Sequence, residues 1–203
     1  MEVDNMLEKE VDIIPEKKPD IISEDGLDIT SKTEPDTTTK TQNAKIILSA
    51  DSTCDLDSEL KERYHVHYFP LHIILNGKDY RDNVDITPEQ IYEEYYANKS
   101  LPSTAAVNVS EYLDYFRPWV EQGCEIIHIN LGSALSSVHQ NARLAASELD
   151  GVYPIDSCNL STGTGLLVVA AGEMIQQGMS AREIAEALNK RRSEDTRLNS
   201  SHL

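Results

Sequence analysis

Three short apolar runs set the frame of this chain: "KIILSA" at 45–50, "CEIIHINL" at 124–131 and "GVYPID" at 151–156. Each gives way to small, hydroxyl and acidic residues, and then to a helical pattern. Strands alternating with helices predict an α/β fold, a layered parallel sheet with helices on both faces. In such a sheet the carboxyl ends of the strands share one edge. The loops "ADSTCD" (50–55), "GSALSS" (132–137) and "IDSCNLSTGTG" (155–165) are therefore expected to meet in one crevice. A fourth segment, "LPSTAAVN" (101–108), adds Thr104 in a loop before a helix. Free backbone N–H groups and hydroxyls at such a crevice can hold an anion. For any single hydroxyl, the reading as helix N-cap or turn residue stays open beside it.

Between these landmarks the local signals are ordinary ones. "SELKERY" is a short helix, and "VHYFPLHIIL" reads as one strand turning back through Asn76-Gly77. Thr87 followed by Pro88 marks a helix start. In "NVSEYLDYFRPWVEQG", Tyr112, Phe116 and Val120 fall on one helical face, and Pro118 is expected to kink it. "STGTGLLVVAAGEMIQQG" is a largely buried helix closed by Gly178, with "SAREIAEALNKR" after it.

The two ends look different. Residues 1–43 are biased toward Glu, Asp, Lys, Thr and Pro without an aromatic residue, and predict a disordered acidic leader. Residues 191–203, "RRSEDTRLNSSHL", abandon amphipathic order, and no strand follows them. The stretch "RSEDTRLNSSH" resembles translated sequencing-adapter sequence, so this tail is expected to be foreign to the domain at 45–190 and the natural protein to be longer.

Charge and composition exclude several function classes. The chain carries 35 acids against 18 bases, a net charge of −17, which opposes binding to a phosphate backbone. Cys54, Cys124 and Cys158 are scattered and odd in number, neither a metal-ligand pattern nor a disulfide framework, and point to a reducing cytoplasm. No apolar run approaches the about 18 residues of a membrane span. No cofactor or metal is expected.

Catalytic patterns are equally thin. The Asp51…Asp55 pair lacks the Asp-x-Asp spacing of a phospho-aspartate hydrolase, and Cys54 and Cys158 have no phosphatase-type arginine loop beside them. His128 and His139 flank the 132–137 loop, but a histidine within "IIHINL" reads first as a strand residue. No GxxxxGK[ST] loop is present. Nothing assembles a nucleophile, a base and an orienting group, so no catalytic residue is assigned.

"SADSTCDL", "FPLHIILNGKDYRDNVDIT", "LPSTAAVN", "INLGSALSSVHQNA" and "VYPIDSCNLSTGTG" stand in the order and at the spacing of the DegV family, which residues 45 to about 190 resemble. The family consists of bacterial fatty-acid-binding proteins, several of them lipid-carrying subunits of fatty acid kinase. The resemblance implies a two-domain protein that encloses one acyl chain and offers its carboxylate to a separate kinase subunit, which forms the acyl phosphate. It implies no enzyme activity of its own. Pro102–Val107 resembles the family's Pro-x-Thr-Ser-Gln-Pro segment and keeps its threonine, Thr104, as a carboxylate ligand. Gly132–Ser137 resembles Ser-Ser-x-Leu-Ser-Gly and keeps its second serine, Ser133, as the other ligand. Asp51, Ser52, Thr53, Ser136, Asp156 and Ser157 are expected to support these two from behind. Most of the family's second domain has no counterpart in these residues. A fatty acid would gain about 0.8 kcal/mol per buried methylene, while each hydroxyl donor to its carboxylate would add roughly 1.5–3 kcal/mol. A rival class remains: an enzyme resembling dihydroxyacetone-kinase or sugar-phosphotransferase domains, acting on a small polar substrate.

Overall fold

The computed structural model describes the backbone of residues 44–200, with side chains to Arg191. The expected leader at 1–43 lies outside the described residues. The main sheet has four parallel strands: β1 (Ile46–Asp51), β2 (His67–Phe69), β6 (Glu125–Asn130) and β7 (Val152–Asp156), in the order β2-β1-β6-β7. All of its pairings are parallel, as the alternation of strands and helices requires.

Helices α1 (Ser58–Arg63), α5 (Thr162–Gln176) and α6 (Ala181–Ser200) cover one face; α3 (Val109–Glu121) and α4 (Val138–Ala146) cover the other. The pleat sorts β6 cleanly. Ile127 and Ile129 join Leu48, Val168 and Ile184 on one side, and Ile126 joins Tyr112, Phe116 and Ala142 on the other. Strands buried on both faces must be apolar nearly throughout, which is why "EIIHIN" shows no alternation. Gly178, with φ of 78°, ends α5 where a left-handed residue is needed. α6 continues through Arg191 to Ser200, so the backbone stays helical across the stretch that lacks amphipathic order.

Two local expectations change. "VHYFPLHIIL" is not one strand: β2 ends at Phe69, and β3 (His72–Leu75) belongs to a second sheet. Pro70 stands at the break, where its missing N–H cannot serve a ladder. Thr104 is not in a loop. It lies in β5 (Ser103–Ala105), paired antiparallel with β3 so that Thr104 stands opposite Ile73. With β4 (Lys78–Arg81), which returns through Asn76-Gly77, this makes a three-stranded sheet β4-β3-β5. Helix α2 (Pro88–Asn98) starts at the Thr87–Gln90 capping box, and its Glu94 accepts from Asn76 Nδ2 at 2.6 Å. α3 runs on through Pro118.

Candidate functional site at the carboxyl edge of the sheet

β1, β6 and β7 end side by side, and Asn130 is in register with Asp156. The three loops foreseen from the sequence do converge. Asp51, with no exposed surface, ties the first to the second: its Oδ2 accepts the Leu131 N–H at 2.7 Å. Tyr112 donates its hydroxyl to Asp51 Oδ1 at 3.3 Å, and Asn130 Nδ2 lies 3.4 Å from Oδ2. Burial, and then the Asp51 charge, push the Tyr112 pKa up, so this phenol stays protonated as a donor. His128 Nε2 lies 3.3 Å from Asp51 Oδ1 but is not aligned to donate to it; its Nδ1 bonds Ser49 Oγ at 2.9 Å.

Asp156 ties the second loop to the third. Its Oδ1 accepts the Ser133 and Cys158 N–H groups, each at 2.9 Å, and its Oδ2 accepts the Ser133 hydroxyl at 2.6 Å. Burial opposes ionisation here, but these hydrogen bonds prevail and hold the carboxyl at about 2. Gly132 sits where a side chain has no room, since a Cβ would come within 2.9 Å of the Cys158 and Asn159 backbone. Ser52 Oγ accepts the Leu71 N–H, and Ser157 and Thr164 bond each other. Ser52, Asp156 and Ser157 thus hold the loops together.

A cavity of about 500 Å³ opens beside this edge, within the size range of small-molecule sites. Ile73 of β3 and Leu71 just before that strand line it from one side, Leu131, Leu135 and Val138 from the bend and α4, and Leu160 from the third loop. Leu135 and Leu160 are exposed, so the apolar lining continues outward. Thr104 and Ser136 bring hydroxyl-bearing side chains to its wall, as does Thr53, whose own Oγ1 is buried, and His72 and Asp82 are its titratable lining residues. Ser133 does not line this cavity. It lines an adjoining one of about 530 Å³ with Ser136, Ser137, His139, Arg143 and Asp156. The two residues singled out as carboxylate ligands therefore stand on different cavities with Ser136 on both.

His72 is the residue the sequence concealed. Its Nδ1 lies 2.9 Å from Asp79 of β4 and its Nε2 2.7 Å from Glu111 of α3. A neutral imidazole has one N–H and cannot donate to both carboxylates. Burial opposes its charging, but the bonds to Asp79 and Glu111 raise its pKa above the usual histidine value. Arg81, opposite it in the ladder, is itself paired with Asp85. A histidine whose pKa is raised by folding stabilises fully below its unfolded value of about 6.5, and that contribution disappears as pH rises through the folded value. His72→Gln is therefore expected to flatten the loss of stability above about pH 6.5. Denaturation midpoints of both proteins across that range check it; parallel curves would remove the clamp.

Among the described residues no group of three or more His, Cys, Asp or Glu could hold a metal ion, and no helix is long and apolar enough to cross a membrane.

The family model described as an uncharacterised protein of the DegV family matches residues 45–198. A DegV domain-containing protein of Clostridium perfringens is 31% identical over 146 residues, 71% of this chain and 52% of that protein. Another from Clostridium acetobutylicum is 34% identical over 142 residues, 69% of this chain and 51% of that protein. The chain thus spans about half the length of the curated relatives it matches. Among solved structures, a fatty-acid-binding DegV family protein from Thermus thermophilus superposes with a TM-score of 0.65 at 30% identity, covering 73% of this chain and 54% of that one. DegV of Bacillus subtilis, a fatty acid binding protein, gives 0.68 at 26% identity, covering 74% and 54%. A stearic acid-binding protein from Eubacterium ventriosum gives 0.64 at 30%, covering 72% and 52%. With the match running from the first strand into the last helix, this chain belongs to the DegV family.

Proposed function

We propose that the chain binds a long-chain fatty acid at the carboxyl edge of its parallel sheet and presents the carboxylate to a separate fatty acid kinase subunit for phosphorylation. The observation that carries this reading is the apolar cavity of about 500 Å³ with hydroxyls at its wall. Its leucine, isoleucine and valine lining suits an acyl chain and is a poor match to the small polar substrate of a sugar-type kinase. The fatty acids bound by the structural neighbours from Thermus thermophilus and Bacillus subtilis support the same ligand class. In this reading Thr104 donates to the carboxylate from β5, and Ser133 donates from the 132–137 bend on exchanging Asp156 for the ligand. The chain itself supplies binding and orientation, and a cytoplasmic kinase supplies nucleotide and chemistry.

Native mass spectrometry of the protein purified from a bacterial host tests the reading. A co-purifying long-chain fatty acid is expected; no adduct, together with no displacement of a fluorescent fatty acid, would overturn it. Thr104→Val and Ser133→Ala are each expected to weaken binding by about 1–3 kcal/mol, since each removes one donor to a charged acceptor. Unchanged affinity in both, by the same displacement assay, would refute the head-group assignment.

A further inference from the structure

Thr53 stands on the 3₁₀ turn Ser52–Cys54 that follows β1, and it lines the apolar cavity. Its Oγ1 is shut off from solvent and has no hydrogen-bond partner. The neighbouring loop hydroxyls differ. Ser52 Oγ accepts from Leu71, Ser133 Oγ donates to Asp156, and Ser157 Oγ bonds Asn159 and Thr164. A buried hydroxyl left without a partner is destabilising. A turn of about 120° about χ1 carries the threonine hydroxyl to another staggered position. A turn that brings it to face the cavity would let an acceptor lodged there give it the partner that the protein withholds. Thr104 and Ser136 line the same cavity, whereas Ser133 does not.

We infer that Thr53 is a direct ligand-binding residue, whose hydroxyl donates to the carboxyl head group of a fatty acid lodged in the cavity with Thr104. The inference rests on the fatty-acid reading and adds to it a donor that need not abandon another bond. Ser133 must give up Asp156 to do the same work. Thr53 therefore contributes more to affinity than Ser133.

Displacement of a fluorescent fatty acid from the 203-residue chain by oleate, with thermal melts of the ligand-free protein, tests it. Thr53→Val conserves shape and removes the orphan hydroxyl. It is expected to weaken binding roughly 10–100-fold, while the ligand-free melting temperature holds or rises. Thr53→Ser, which keeps a donor, should stay within about threefold of wild type, and Ser133→Ala should lose less than Thr53→Val. Wild-type affinity in Thr53→Val would overturn the role of Thr53 and leave the fatty-acid reading standing. Absence of binding by the wild type would overturn the fatty-acid reading and this inference with it. A lowered ligand-free melting temperature in Thr53→Val would overturn the inference too, because it would show the hydroxyl already partnered in the folded protein.

Discussion

Asp51→Ala is expected to destabilise the protein by about 3–5 kcal/mol, a large share of the roughly 5–15 kcal/mol that holds a domain of this kind together. The carboxyl is fully buried and takes the Leu131 N–H at 2.7 Å and the Tyr112 hydroxyl at 3.3 Å. Alanine leaves at least these two donors without an acceptor, at roughly 1–3 kcal/mol each. It also empties the space beside Asn130 and His128. The effect should spread to function, because Leu131 begins the bend that walls the cavity. Urea denaturation of the variant provides the measurement. A loss below about 1 kcal/mol would mean that the loops are held by something other than this carboxyl.

The second large effect concerns the ligand. Ala106 follows β5 and lines the cavity from an exposed position, so a tryptophan there should fill space without disturbing the core. Each methylene denied its place costs about 0.8 kcal/mol. Displacing about four of them weakens binding roughly 200-fold. Ala106→Trp is thus expected to abolish measurable fatty-acid displacement while the unfolding transition stays near that of the parent. Retained affinity with an intact fold would place the acyl chain elsewhere.

How much of this was legible in the sequence depends on the range of the interaction. The helix start at Thr87-Pro88 and the Gly178 helix end are local, and their residues announced them. The parallel sheet was legible because β1 and β6 are buried on both faces, which leaves apolar runs too continuous for anything else. β5 was hidden, because three exposed residues have strand character only through pairing with β3, some thirty positions away. The break at Pro70 was hidden for a similar reason: the apolar run passes through it, and only the second sheet explains the turn. In the site, the convergence of the three loops followed from strand direction alone. The division of labour among their hydroxyls did not. Ser133 and Thr53 look alike as letters. One is engaged by Asp156 and the other has no partner, and that difference is decided by χ angles and loop packing. His72 carried no motif, since its two carboxylates come from β4 and α3, at separations of 7 and 39 residues.

The two sheets share no strand ladder. The Leu71 N–H to Ser52 Oγ bond, the His72–Glu111 contact and the Asn141 Nδ2 bond to the Val107 carbonyl tie the smaller sheet to the body of the molecule. The cavity thus lies between two sheets joined by a short chain link, a few polar bonds and the packing of Leu71 and Val107 against Phe69 and Tyr112. Opening such a gap by an ångström strains these polar bonds and that apolar packing but breaks no rung of either sheet. A cavity built this way behaves like a calliper, set by whatever it grips, and under the proposed function it would accept acyl chains of differing girth and bend. Under that proposal the same looseness would make the lipid a mechanical part of the fold. Once seated it bridges the two sheets, and amide exchange along β3 and β5 should slow when it binds.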